Sequence, residues 1–139
     1  MSERMARGDV PDWSVEQLRQ QFDDVLLLDT RERAEYEVSH LPGAVWIGYE
    51  DFDPNRLPTG LDPATKIVTY CSVGYRSERI GEQLQAAGFT DVHNLRGSIF
   101  EWANAGYPVV DAQNQPTQNI HGYNKKWGRW VRTLKVVYD

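Results

Sequence analysis

Cysteine is the rarest residue of this 139-residue chain, which contains only Cys71. A single cysteine excludes an internal disulfide and suits a reducing compartment. Long apolar runs are also missing, because the two longest, residues 25–28 and 43–47, are far too short to cross a bilayer. The first residues lack the hydrophobic segment of a secretory signal. We therefore expect a cytoplasmic protein that does not enter a membrane.

Basic residues are fewer than acidic ones, because the chain has 15 Lys and Arg and 20 Asp and Glu. This balance argues against general nucleic-acid binding. The charges are unevenly spread: residues 1–116 hold 10 basic and 19 acidic side chains, whereas residues 117–139 hold five basic and one acidic. A basic tail on an acidic body is either self-complementary or a docking surface. We favour the first, because aromatic side chains give the tail apolar surface to bury.

The pattern of apolar residues indicates the fold class. Short apolar runs alternate with amphipathic stretches along a chain whose length fits one core. Strands are predicted at residues 25–29, 44–47, 66–70 and 92–95, and helices after Ser14 and at residues 32–38, 77–87 and 99–105. This alternation predicts an α/β fold with a mainly parallel central sheet flanked by helices on both faces.

Cys71 directly follows the predicted strand at residues 66–70 and precedes Gly74 and a helical pattern. In parallel sheets, ligands bind beyond the carboxyl ends of the strands. Turn N–H groups and the positive end of the helix point at such a sulfur, and Arg76 adds a full charge, so the thiolate is favoured. A free cysteine is most often a small buried hydrophobe, but packing requires neither Gly74 nor Arg76. We interpret Cys71 as a nucleophile.

Three ordered blocks resemble the motifs of the rhodanese family of sulfurtransferases, over about residues 12–110. The blocks are Leu28-Asp29-Thr30-Arg31 with Glu35-Tyr36 and His40-Leu41-Pro42-Gly43-Ala44, then Cys71-x-x-Gly74-x-Arg76-Ser77, then Leu95-Arg96-Gly97-Ser98-Ile99-Phe100-Glu101-Trp102. Any one block would be a weak signal, whereas three in order with similar spacing are a strong one. The resemblance implies a rhodanese-like fold.

The resemblance also implies a two-step sulfur shuttle. Cys71 would take a sulfur atom from an anionic donor such as thiosulfate and pass it, from a persulfide, to cyanide or a thiol. The two steps would follow a ping-pong order. The backbone N–H groups of the loop would cradle the outer sulfur; these belong to Ser72, Val73, Gly74, Tyr75, Arg76 and Ser77. Arg76 would attract the donor and help to close the loop. Neither metal nor organic cofactor is implied, and a protein sulfur acceptor is a further option.

Loop length separates this chemistry from phosphate chemistry. Arg76 follows Cys71 by five positions, one fewer than in the His-Cys-x5-Arg loop of related cysteine phosphatases, and Tyr70 replaces the histidine. A tighter ring of N–H groups suits one sulfur atom better than phosphate. Ser72 departs from the basic residue that is common at this position in thiosulfate-using members, and Ser98 replaces the second glycine of the third block.

Supporting roles fall to three residues of the first block. Asp29 caps a turn or orients Arg31 and the catalytic loop; we favour the structural role. Arg31 either binds the donor or pairs with Glu35, one turn later. His40 fixes the loop before Pro42. A different class of function also stays open, in which the domain docks a partner or senses oxidants through Cys71.

The domain organisation follows from the extent of the three blocks. We expect residues 1–11 to form an N-terminal extension, residues 12–110 the domain, and residues 111–139 a linker and a basic aromatic tail. Trp127 and Trp130 lie three positions apart, on one face if that tail is helical. They pack on the domain, cover the active site or pair with another subunit, so the protein is a monomer or a homodimer.

Overall fold

The computed structural model describes residues 10–123 and 128–138. A five-stranded sheet forms its centre, with the strand order β1-β5-β4-β2-β3 and every neighbouring pair parallel. The strands are β1 (Asp12–Trp13), β2 (Leu26–Asp29), β3 (Val45–Trp46), β4 (Ile67–Tyr70) and β5 (Val92–Leu95). The helices are α1 (Val15–Gln20), α2 (Arg33–Val38), α3 (Tyr75–Ala86) and α4 (Ser98–Asn104), with 3-10 turns at Phe22–Asp24 and Pro54–Arg56.

The register of the sheet brings the carboxyl ends of its strands together. Asp29 of β2 lies opposite Tyr70 of β4, and Thr69 lies opposite Asn94 of β5. Because β4 is the central strand, the residue that follows it lies in the middle of this edge. That residue is Cys71. Asp29 and Cys71 therefore lie at the same edge of the sheet.

Helices cover both faces of the sheet, as the alternation of apolar runs predicts. Neighbouring residues of a strand point to opposite faces: Leu27 and Val68 belong to one buried cluster, and Leu28 and Ile67 to the other. Helices α1 and α4 pack on the first cluster through Leu18, Ile99 and Trp102. Helix α3 packs on the second through Ile80 and Leu84. The predicted α/β fold with a parallel central sheet is confirmed.

Local sequence signals place the helix starts. The Ser14 hydroxyl accepts a hydrogen bond from the Gln17 N–H at 3.1 Å, and the Gln17 side chain accepts one from the Ser14 N–H at 2.8 Å, so a capping box begins the helix predicted after Ser14. Helix α3 begins two residues before the predicted start. Gly74 precedes it with a φ of 124°, a conformation that side-chain-bearing residues rarely adopt.

The chain returns to the domain after residue 110. His40 and Val110 exchange two backbone hydrogen bonds of 2.9 Å. Two further strands, β6 (Asn119–His121) and β7 (Lys135–Val137), form a separate parallel pair, and Ile120 of β6 is buried in the same cluster as Trp102. The predicted linker and tail thus contain core residues, at positions where sequence analysis predicts no strand.

Some predicted segments lie outside the described residues. These are positions 1–9 of the N-terminal extension, residue 139, and the tail segment of residues 124–127, which includes Trp127. Within residues 10–123 and 128–138, no helix is long and apolar enough to cross a membrane.

Candidate active site

Cys71 lies between the end of β4 and the start of α3, with 1% of its surface exposed. Its Sγ accepts a hydrogen bond from the Gly74 N–H at 3.0 Å. The first N–H groups of a helix have no partner within it, and they carry the positive end of the helix dipole. Sulfur therefore sits where a negative charge is stabilised. The strand–turn–helix junction that the sequence predicts around Cys71 is present.

A set of hydrogen bonds holds the turn between Cys71 and Ser77. The Ser77 hydroxyl lies 3.6 Å from Sγ and 2.5 Å from Oδ1 of Asn94, and the Asn94 amide donates to the Gly74 carbonyl at 3.3 Å. Asn94 belongs to β5, so the neighbouring strand fixes the carbonyl side of Gly74. The positive φ of Gly74 then directs its N–H toward sulfur. Asn94 was not predicted from the sequence, because a lone Asn within a strand carries no recognisable signal.

Ser98, at the start of α4, supports Cys71 from the other side. Its hydroxyl accepts a hydrogen bond from the Cys71 N–H at 3.1 Å and donates one to the Leu95 carbonyl at 3.0 Å. The φ angles of Gly97 and Ser98 are 75° and 52°, both in the left-handed region. A glycine would be relaxed at position 98, whereas serine accepts strain there and gains a hydrogen bond to the backbone of the candidate nucleophile.

We expect Ser98→Ala to lower the free energy of unfolding by about 2 kcal/mol, because the buried Cys71 N–H loses its acceptor while the strained φ remains. Ser98→Gly is the matched control: it loses the same hydroxyl but relaxes the backbone, so it is expected to be less destabilised than the alanine variant. Denaturant unfolding of both variants and the parent measures the difference. Equal stability of Ser98→Ala and the parent would contradict this role.

Arg76 holds the loop to helix α2 through Glu35. The guanidinium donates to the two carboxylate oxygens at 2.8 and 3.0 Å and to the Ser72 hydroxyl at 3.0 Å, and Ser72 donates to Glu35 at 3.2 Å. Burial alone raises the pKa of the Glu35 carboxyl, but the hydrogen bonds from Arg76 and the charges of Arg31 and Arg76 outweigh it, so this pKa is lowered. Burial lowers the pKa of Arg76, and Glu35 more than compensates, so that pKa is raised.

Arg31 does not reach the pocket, so the prediction that it contacts the donor is not supported. Its side chain is fully buried, and it donates to both carboxylate oxygens of Asp29 and to the Ser39 carbonyl. The alternative pairing with Glu35 is wrong, because the bidentate partner is Asp29. The Tyr70 hydroxyl also donates to Asp29, at 2.7 Å. Burial, followed by the negative charge of Asp29, raises the pKa of Tyr70 well above its ordinary range.

His40, within the first block, is buried and does not line the pocket. Its Nδ1 lies 2.9 Å from the Tyr36 carbonyl oxygen, and its ring stacks on that of Tyr36 with 3.8 Å between centroids. Together with the backbone bonds to Val110, these contacts fix the chain before Pro42. His40 therefore stabilises the surroundings of the site without touching sulfur.

A pocket of about 370 Å³ opens over the loop and is lined by Cys71, Ser72, Val73, Tyr75, Arg76 and Tyr123. Tyr123 lies beyond the three motif blocks, and its ring centre is 4.5 Å from the guanidinium carbon of Arg76. Tyr123 is a pocket residue that sequence analysis missed. Its place in an aromatic tail is the one signal that could have found it.

The described part of the chain contains no group of three or more His, Cys, Asp and Glu residues arranged to hold a metal ion. The chemical groups gathered at the pocket are a sulfur atom, backbone N–H donors, hydroxyls and one paired guanidinium. This arrangement can stabilise a small sulfur-centred anion and carry out nucleophilic chemistry at Cys71.

Comparison with known proteins agrees with this geometry. Residues 14–105 match the sequence model of the rhodanese-like domain. An uncharacterized protein of Synechocystis sp. is 35% identical over 103 residues, which are 74% of this chain and 56% of that protein. A tRNA uridine(34) hydroxylase of Aster yellows witches'-broom phytoplasma is 40% identical over 83 residues, 57% of this chain and 27% of the hydroxylase. The chain thus spans little more than half of the first relative and about a quarter of the second.

Solved structures show the same fold. The rhodanese-like domain of an Anabaena sp. protein superimposes with a TM-score of 0.66 at 25% identity, covering 73% of this chain and 79% of that one. A thiosulfate sulfurtransferase from Pseudomonas aeruginosa gives the same TM-score and identity, covering 80% of this chain and 23% of the enzyme. The match over residues 14–105, the parallel sheet and the cysteine loop at its carboxyl edge together establish that the chain belongs to the rhodanese-like domain family.

Proposed function

We propose that this protein is a sulfurtransferase that carries a sulfane sulfur atom as a persulfide on Cys71. The observation that carries the proposal is the 3.0 Å hydrogen bond from the Gly74 N–H to Sγ, at the N-terminal end of α3 and at the floor of a pocket. A packing cysteine needs no such donor. A thiolate does, and so does the anionic outer sulfur of a persulfide.

The first half-reaction loads the cysteine. The thiolate of Cys71 attacks the outer sulfur of the donor, a new S–S bond forms, and the electron pair of the broken bond leaves with the rest of the donor. With thiosulfate the leaving group is sulfite, and the charges balance without proton transfer. The N–H groups at the start of α3 then face the outer sulfur, which now carries the negative charge.

The second half-reaction returns the cysteine to its thiolate. Cyanide attacks the outer sulfur and leaves as thiocyanate, or a thiolate attacks it and leaves as a new persulfide; in both cases the electron pair returns to Cys71. Because the covalent intermediate separates donor from acceptor, the kinetics are ping-pong. In this proposal Arg76 positions the loop through Glu35, since its guanidinium already donates to that carboxylate and to Ser72.

Intact-mass measurement tests the proposal directly. The protein is incubated with thiosulfate, freed of excess donor and weighed beside a Cys71→Ser variant. We expect the parent to gain one sulfur atom that cyanide removes, and the variant to gain none. Loading only by another donor, such as mercaptopyruvate or an organic persulfide, would keep the sulfur shuttle and exclude thiosulfate.

Failure to load with every donor would overturn the proposal and favour the other class, a docking or oxidant-sensing module. Multiple turnover also distinguishes an enzyme from a docking or oxidant-sensing module. An enzyme produces many equivalents of thiocyanate per Cys71, whereas a sensor reacts once and then needs a reductant.

A further inference from the structure

Two tyrosines at the mouth of the Cys71 pocket suggest which donors the protein accepts. Tyr75 and Tyr123 have 65% and 42% of their surfaces exposed, and the third large apolar side chain exposed in the described residues is Trp130, at 52%. Two of these three side chains therefore line the pocket that contains the candidate nucleophile. Exposed aromatic rings beside a reactive group are typical of sites that bind an organic ligand.

The same tyrosines continue the aromatic surface away from Cys71. Together with Arg76 they also line an adjoining groove of about 490 Å³, whose other aromatic side chains are Trp46 and Tyr49. The groove is also lined by Glu32, Arg33, Glu50 and Asp51, so a ligand whose sulfur reaches Cys71 would meet both ring faces and charged side chains along its remaining length. An inorganic donor such as thiosulfate is too small to use them.

Arg76 is the one cationic side chain that residues 10–123 and 128–138 contribute to the lining of the Cys71 pocket, and it is poorly placed to attract a small dianion. Its charge is paired with Glu35, which is almost fully buried, and the ring of Tyr123 lies over its guanidinium. Ser72, which follows Cys71, carries no charge of its own. The described part of the lining therefore offers ring surface rather than unpaired positive charge to an incoming donor.

The backbone conformation of Tyr123 is strained. Its φ of 68° lies in the left-handed region, which bulky side chains rarely occupy, and its N–H donates to Nδ1 of His121 at 2.9 Å. Strain of this kind is found where the surrounding structure fixes a side chain for use.

We propose that Tyr75 and Tyr123 select donors whose sulfane sulfur is attached to an organic group, which packs against the two rings while the sulfur is transferred to Cys71. This inference rests on the proposed sulfurtransferase activity and narrows its substrate class. The thiolate attacks the outer sulfur of R–SO₂–S⁻, the bond between the two sulfur atoms breaks, and the electron pair leaves on the sulfinate R–SO₂⁻. No proton or redox partner is required.

Two matched donors test the selection. Benzenethiosulfonate and methanethiosulfonate carry the same charge and reacting group and differ in the phenyl ring. The ratio of their kcat/KM values is measured for the parent and for Tyr123→Ala, so that the intrinsic reactivities of the donors cancel between the two proteins. We expect the alanine variant to lower the ratio about tenfold, because one aromatic contact with the phenyl ring is lost.

Three further variants separate selection from general damage. Tyr75→Ala is expected to lower the ratio as well, whereas Tyr123→Phe keeps the ring and should keep the ratio. Trp130→Ala removes an exposed aromatic side chain of the same C-terminal segment that does not line the pocket, and it should leave the ratio unchanged. A ratio within twofold of the parent in Tyr123→Ala would overturn the inference while the sulfurtransferase activity stood. Failure of every donor to load Cys71 would overturn the activity itself.

Discussion

Replacement of Asp29 by alanine is expected to lower the free energy of unfolding by about 3–5 kcal/mol, the range observed when one partner of a buried ion pair is removed. Arg31 would keep its charge at a position with no exposed surface, and the Tyr70 hydroxyl would lose its 2.7 Å acceptor. Arg31 and Tyr70 both lie at the carboxyl edge of the sheet, and Tyr70 immediately precedes Cys71. Thermal or denaturant unfolding measures the loss.

A double variant separates the cost of an unpaired charge from the cost of lost packing. In Asp29→Ala/Arg31→Met no unpaired charge is left at this position, so we expect the double variant to be more stable than Asp29→Ala alone. If the second substitution destabilised the protein further, the buried cation would not be the source of the effect.

Replacement of Glu35 by glutamine is expected to slow sulfur loading of Cys71 about 100-fold and to cost about 3 kcal/mol of stability. Glutamine has one acceptor oxygen and no charge, so its nitrogen would face a donor of Arg76 and the bidentate ion pair would be lost. A loop displaced by about 1 Å is enough for a rate loss of that size, and the unpaired Arg76 accounts for the stability loss. Loading rates followed by mass, beside denaturant unfolding, measure the two effects.

Glu37→Gln is the matched control on the same helix. Glu37 pairs with Arg33 at 3.2 Å, but both side chains are more than half exposed, so the exchange should change stability by no more than about 0.5 kcal/mol and leave loading intact. Similar losses in the two variants would show that the helix, rather than the Arg76 contact, is disturbed.

The Glu35 pair also predicts a dependence on pH. The pKa of Glu35 is lower in the folded protein than its ordinary value of 4.5, so the ionised form favours folding. This contribution is fully present above that value and is lost as the pH falls through the lower folded pKa. The parent should therefore lose more stability than Glu35→Gln on acidification below about pH 4.5.

The sheet was predictable because its strands are buried on both faces. Runs such as residues 25–29 and 66–70 are apolar at successive positions, and that pattern fits few structures other than a parallel strand covered by helices. Strand β1 escaped prediction because it has two residues and directly precedes the helix cap at Ser14. Strands β6 and β7 escaped prediction because each has only three residues.

The partners of the charged residues were less predictable than the fold. Sequence spacing left two options for Arg31, contact with the donor or a pair with Glu35 four positions later, and it left Arg76 free to meet a donor. The structure exchanges these partners: Arg31 binds Asp29, and Glu35 binds Arg76, 41 positions away. Spacing along a helix reports only local neighbours, whereas this pair is set by the packing of α2 against the cysteine loop. The position of Cys71 at the edge of the sheet was predictable, because it required only that the end of strand β4 be recognised in the sequence.

Strand β6 connects the buried core to the mouth of the Cys71 pocket. Ile120 anchors this strand among buried residues, and Tyr123 reaches the pocket mouth three positions later. A change in the backbone of this strand that altered the pocket mouth would also move Ile120 out of its place in the core. Exchange of the single side chain at position 123 has no such penalty, because that side chain is partly in solvent. Under the proposed selection, a single substitution at position 123 would change donor preference while the scaffold stays the same.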